Sequence, residues 1–123
     1  MAKIVIFEDD PYDVLRRYEG LTNINEVHVH LVGRDEVFDS DKEYLGEEGF
    51  SVDQIHSGIP KEIMNGNVYF VDGLGGRCKL LLERLPREKT HLVSDDSRYR
   101  EWAMREGYSV AEEYEISDIV AEL

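Results

Sequence analysis

Apolar residues in this chain fall into short β-rich runs, separated by stretches in which they recur every three or four positions. Ile4–Phe7 is an uninterrupted apolar run, and it predicts a strand over Lys3–Phe7 that is buried on both faces. Val27–Val32, Val68–Val71 and His91–Val93 repeat that signal, and Ser109–Ala111 gives it weakly. Between the runs the period is helical. Asp10 stands as an N-cap, Pro11 as the first helical residue and Asp13 as an acid near the helix start. Val14, Leu15 and Tyr18 then form an apolar stripe that Gly20 ends. Cys78–Leu85 predicts a helix closed by Pro86. Asp95, Asp96 or Ser97 caps a further helix, in which Tyr99, Trp102 and Ala103 share a face and which Gly107 stops. Ile116, Ile119, Val120 and Leu123 fall at i, i+3, i+4 and i+7, the spacing of an amphipathic last helix.

One region breaks the rhythm. Residues 34–51 carry seven acids against Arg34 and Lys42, which predicts a long loop, followed by a short helix around Val52–His56 or Lys61–Asn65. Asn65-Gly66-Asn67 punctuates before the next strand. No repeat, linker or low-complexity segment is present. Strands alternating with helices along the whole length argue for an α/β fold with a parallel sheet covered on both faces.

At 123 residues the chain suits a single domain over 1–123. Its 14 basic residues against 27 acidic ones give a net charge of −13, a field that opposes binding to a phosphate backbone. Nucleic acid is therefore excluded as a direct partner, while cations or basic protein surfaces suit the charge. Cys78 is the sole cysteine, so no internal disulfide forms and a reducing compartment is expected. No apolar run approaches the roughly 20 residues that span a bilayer, and the N-terminal pattern lacks a signal peptide's apolar stretch. These features predict a cytoplasmic protein with no membrane partner.

In an open parallel sheet, ligands sit outside the C-terminal strand ends, near the point where strand order reverses. Here those ends read Glu8-Asp9-Asp10, Asp72 and Ser94. Carboxylates gathered at one edge repel one another and require a cation or raised pKa values. A hard divalent ion with oxygen ligands, Mg²⁺ above all, meets that need. Gly73-Leu74-Gly75-Gly76 before a helix with Arg77 and Lys79 lacks the full glycine pattern of a nucleotide-binding loop and predicts a tight turn. Asp39, Asp41 and Glu43 do not make a calcium loop, because Tyr44 and Phe50 stand where a glycine and a closing glutamate belong. His28 and His30 share one strand face, but no spacing matches a zinc motif.

Together these segments resemble a known family. Ile4-Val5-Ile6-Phe7-Glu8-Asp9-Asp10-Pro11 looks like the opening of bacterial response-regulator receiver domains, in which an apolar strand runs into an acidic pair. Val68-Tyr69-Phe70-Val71-Asp72 resembles their third strand, Leu92-Val93-Ser94-Asp95 their fourth, and Glu106-Gly107-Tyr108 the turn before their fifth. The resemblance implies a flavodoxin-like, doubly wound, five-stranded parallel sheet of order 2-1-3-4-5. It also implies that Asp72 accepts a phosphoryl group from a histidine kinase and that Asp9 ligates Mg²⁺ directly. Glu8 would then ligate the ion through water and the Leu74 carbonyl would complete the protein ligands, while Ser94 bonds the phosphoryl oxygens.

The chain departs from that pattern at one chemically central place. Receivers set a lysine at the end of strand five, and here the stretch reads Ala111-Glu112-Glu113-Tyr114-Glu115, with no lysine after Lys89. Lys79 or Arg77 could stand in only by bending back over the site from the following helix, and Glu112 or Glu113 would add repulsion. The expected function is a receiver-like signalling protein acting through contacts with a histidine kinase or another signalling protein. Two alternatives stand beside it: an interaction module independent of phosphorylation, and a small Mg²⁺-dependent phosphatase or hydrolase. The last lacks an Asp-x-Asp-x-Thr run after strand one.

Overall fold

The computed structural model describes residues 1–32, 39–55 and 59–123. Its strands are β1 (Lys3–Glu8), β2 (Glu26–Val32), β3 (Ser51–Ile55), β4 (Val68–Val71), β5 (Thr90–Leu92) and β6 (Ser109–Val110). Among the described residues five α-helices lie between or after these strands, with none between β3 and β4: α1 (Pro11–Tyr18), α2 (Asp39–Glu47), α3 (Cys78–Arg84), α4 (Ser97–Arg105) and α5 (Ile116–Ala121). The sheet is parallel throughout, in the order β3-β2-β1-β4-β5-β6. No described helix is long and apolar enough to cross a membrane.

Local chemistry sets the element boundaries. The Asp10 carboxylate accepts from the Tyr12 N–H and caps α1, with Pro11 in the first turn, where its missing N–H costs no helix bond. Asp96 caps α4 by accepting from the Arg98 N–H. Strand alternation then sorts the core into two layers. Ile4, Ile6, Val27, Val29, Val68 and Phe70 face α1, α2 and α5, where they meet Val14, Tyr18, Leu45 and Ile116. Val5, Phe7, Tyr69, Val71 and Leu92 face α3 and α4, where they meet Leu81, Leu82 and Ala103.

The expected five-stranded sheet of order 2-1-3-4-5 is corrected to six strands. The five expected strands are all present and neighbour one another as expected, but a further strand, Ser51–Ile55, extends the sheet beside β2. That segment had been expected to hold a loop end and a short helix. Val52 pairs in register with Val29, and Ile55 with Val32, so its apolar residues continue the neighbouring strand. Asp53 is exposed, and a charge on an edge strand discourages pairing with other chains. The acidic segment before it is not all loop: Asp39–Glu47 is helical, with Leu45 fully buried. Arg34–Phe38 and His56 lie outside the described residues, and Lys61–Asn65 is not helical.

Strand order reverses between β1 and β4, whose C-terminal ends therefore border the crevice where such sheets hold ligands. The Asp72 N–H donates to the Phe7 carbonyl at 2.9 Å, which carries the β1–β4 pairing to the sheet edge and sets Asp72 beside Glu8. At the opposite end, Gly66 lets the chain enter β4: a Cβ there would stand 2.7 Å from Val5 Cγ2. Gly66→Ala is expected to cost about 1–3 kcal/mol through overpacking. Gly46→Ala, on α2 with nothing within 4 Å of the added carbon, should instead raise stability by about 0.5–1 kcal/mol. Urea unfolding of the two variants checks both signs.

Candidate functional site

Four carboxylates gather at the C-terminal edge of the sheet. Glu8 and Asp72 each stand two residues beyond the last side chain that β1 and β4 give to the α1/α5 layer, namely Ile6 and Phe70, so the period of two along a strand turns both toward the side that α1 covers. Asp95 and Glu113 come from the segments that follow β5 and β6.

Arg17 meets them there. Val14, Arg17 and Tyr18 are the buried residues of α1, so an arginine fills a position that the helical spacing reserves for the core. Its Nη1 donates to Glu8 Oε2 at 2.9 Å and to Asp72 Oδ1 at 2.8 Å. Its Nε donates to Glu113 Oε1 at 3.1 Å and its Nη2 to Asp95 Oδ2 at 3.3 Å. The side chains of Arg17 and Glu8 are 2% and 0% exposed, so this contact is withdrawn from water. Arg16, on the outer side of α1, donates to both Glu113 oxygens, at 2.5 and 2.6 Å, and to Asp13 at 3.0 Å.

Burial and charge compete at Glu8 and at Arg17. Glu8 is pushed up from 4.5 to about 9, chiefly by burial and then by the Asp72 charge, although Arg17 pulls the other way. Asp9 is raised too, again mainly by burial. Burial also opposes the charge of Arg17, but its hydrogen bond to Asp72 and the charge of Glu8 outweigh that and raise its pKa.

Carboxylate oxygens of Glu8, Asp9 and Asp72 lie within 4.8 Å of one another, and this group could hold a metal ion. All three are hard oxygen donors, the class that suits a divalent ion such as Mg²⁺. They are not equally free. Glu8 Oε1 already accepts from the N–H groups of Asp9 and Asp10, at 3.0 and 3.4 Å, and its other oxygen from Arg17. Asp9 and Asp72 are half-buried, which leaves them as the outward members. Asp72 Oδ2 accepts from the Leu74 N–H at 3.2 Å.

The remaining sequence candidates gather around Asp72. Leu74 takes a positive φ of 52°, rare for a side-chain-bearing residue, and its buried side chain is held in the α3/α4 layer. Its carbonyl accepts from the Arg77 backbone N–H at 3.2 Å and from Arg77 Nε at 2.9 Å. Ser94 is buried, and its Oγ accepts from the Asp96 N–H at 3.1 Å. A Cβ at Gly73 would stand 3.0 Å from that Oγ and 2.7 Å from the Tyr99 ring, so glycine lets Ser94 pack directly behind Asp72.

The cation that sequence reasoning sought on α3 comes from α1. The Lys79 ammonium lies over the Trp102 ring, 5.1 Å from its centroid, and Arg77 turns to the Leu74 carbonyl. The expected repulsion from Glu112 and Glu113 is also corrected. Arg100 pairs with Glu112, while Arg16 and Arg17 pair with Glu113. Arg17 was missed because its charge argues for the surface. The available signal was its place in the stripe, three residues after Val14 and beside Tyr18.

A cavity of about 570 Å³ lies at the other end of the sheet, lined by Ala2, Leu21, Asn67 and Val120, and takes no part in this chemistry. No protein-family model matches the chain, and no curated protein or solved structure is significantly similar to it.

Removing the buried arginine strands its carboxylate partners, so Arg17→Met should lower stability by about 3–5 kcal/mol. Adding Glu8→Leu should return part of that loss, and a double-mutant cycle in urea measures the coupling. The pH response has a defined sign. Between 4.5 and about 9 the folded chain keeps a proton on Glu8 that the unfolded chain releases. The unfolded state then binds fewer protons, so this residue makes stability fall as pH rises through that window. Thermal melts from pH 5 to 9 should show a flatter profile for Glu8→Gln than for the parent chain.

Proposed function

We propose that this chain is a cytoplasmic receiver-like signalling module whose Asp72 accepts a phosphoryl group and which acts through contacts with other proteins. The observation that carries this reading is the Arg17 Nη1 shared between Glu8 and Asp72, at 2.9 and 2.8 Å. It sets a fixed cation beside the proposed acceptor, in a chain that lacks the strand-five lysine of the family it resembles.

Asp9 and Asp72 are the residues that would hold Mg²⁺, and the ion would supply neutralising charge for the phosphoryl oxygens. The protein's own steps follow from its geometry. An Asp72 oxygen attacks phosphorus in a phosphohistidine donor; the P–N bond breaks, and the imidazole leaves with a proton from solvent. As negative charge grows on the equatorial oxygens, the Arg17 N–H that now rests on Asp72 Oδ1 turns to one of them. The Ser94 hydroxyl, whose oxygen already accepts from the Asp96 N–H, donates its proton to another.

A specific observation favours a second reading. Both Asp72 oxygens already have protein donors, Arg17 and Leu74, and each nitrogen of the Arg17 guanidinium is engaged. A pocket neutralised this fully suits a phosphorylation-independent interaction module.

Incubation with acetyl phosphate and Mg²⁺, followed by intact-mass measurement, separates the two. A single phosphoryl adduct that requires Mg²⁺ and disappears in Asp72→Asn is expected. Arg17→Lys, which keeps the charge but loses the planar fork, should slow labelling by about a hundredfold, the effect of removing one well-placed electrostatic contact. A folded parent chain that takes no adduct would establish the second reading instead.

A further inference from the structure

α1 and α2 present facing stripes. On α1 the outer stripe is Tyr12, Leu15 and Glu19, and on α2 it is Asp41, Tyr44 and Glu48, the last just beyond the helix end. Two cavities of about 190 Å³ each flank Leu15. Tyr12, Asp41 and Tyr44 line the one between the helices, and Glu19, Thr22, Glu48 and Phe50 line the other, past their C-terminal ends. Leu15 belongs to both, so they adjoin as one groove along α1. Tyr12 and Tyr44 are 72% and 52% exposed, which is unusual for two large aromatic rings beside the same cleft.

The charge on this groove has one sign. Glu19 and Glu48 share a cavity, and among the described residues neither they nor Asp41 form an ion pair. Arg16 and Arg17, the basic residues of α1, are turned away to Glu113, Asp13, Glu8 and Asp72. Among the described residues the groove thus joins two aromatic rings that stack on no other ring or cation to three carboxylates outside any ion pair, on a chain of net charge −13. Aromatic faces attract guanidinium and ammonium groups, and carboxylates pair with them.

We infer that the α1–α2 groove docks a basic segment of a partner protein, which sets one cation between Tyr12 and Tyr44 over Asp41 and a second between Glu19 and Glu48. Tyr12 and Glu19, the latter just beyond the end of α1, are seven residues apart, about 10 Å along the helix axis. A segment in the polyproline II conformation, with three residues per turn and about 3.1 Å per residue, puts arginines at i and i+3 on one face about 9 Å apart. An apolar side chain between the arginines meets Leu15. The groove lies beside the acidic crevice and needs no phosphoryl group on Asp72, so the inference stands apart from the function proposed above.

The probe is an amidated peptide, acetyl-Gly-Arg-Ala-Leu-Arg-Gly, titrated into isotopically labelled full-length protein at 0.15 M salt and followed by amide chemical shifts. Shifts should concentrate on Tyr12–Glu19 and Asp41–Glu48, and persist in Asp72→Asn. The pair Asp41→Asn with Glu48→Gln should weaken binding at least about fivefold. The pair Asp118→Asn with Glu122→Gln, which removes the same charge on and just beyond α5, should change it less than about twofold. Tyr44→Ala should weaken binding while leaving the salt dependence unchanged. Shifts spread evenly over all acidic surfaces, equal losses in the two charge-neutralised pairs, or no binding would overturn the assignment.

Discussion

A carboxylate at the end of a buried strand has nowhere to put its charge, and the upper half of this sheet is organised around that problem. Glu8 continues the row begun by Ile4 and Ile6 and is fully buried. Left alone, a charge there would cost several kcal/mol in desolvation. Arg17 answers from α1 and in the same stroke reaches Asp72, Asp95 and Glu113. One guanidinium therefore ties α1 to the ends of β1 and β4 and to the segments that follow β5 and β6. Arg's planar, fork-shaped donor set makes this possible, since a lysine ammonium has no such directional spread.

The same interaction explains how the acidic crevice exists without tearing the edge apart. Arg16 holds Glu113 from outside, Arg17 holds it from inside, and Arg100 holds Glu112. The stretch after β6, which bears glutamates where a cation was expected, is thus the anchor of the arginines rather than a source of repulsion. The positive charge at this edge comes from α1 and α4, and the glutamates after β6 receive it.

Most of the architecture is written locally, which is why it could be read. Ile4–Phe7 and Val68–Val71 are strands by composition alone, and Asp10-Pro11 and Asp96 start helices through bonds made within a few residues. The clustering of Glu8, Asp9 and Asp72 followed from strand ends meeting at the reversal of a parallel sheet. β3 was not legible, because Val52 and Ile55 are its only apolar residues and pack in opposite layers, so no alternation marks the strand. Nor was α2, whose acids outnumber its single buried leucine. Arg17 was hidden for a different reason. Its burial makes sense only once carboxylates distant in sequence arrive around it, 55 residues away at Asp72 and 96 at Glu113.

The equal offset of Glu8 and Asp72 from the last core residue of β1 and β4 has a consequence for how the sheet assembles. Either strand, paired one residue out of step, would turn its acid to the α3/α4 layer, away from Arg17. Slipped by two, it would offer Arg17 an isoleucine or a phenylalanine instead. Aliphatic side chains tolerate such exchanges with small losses, whereas an arginine withdrawn from water does not. The guanidinium therefore acts as a proofreader of strand alignment, rejecting misregistered sheets that hydrophobic packing alone would let pass.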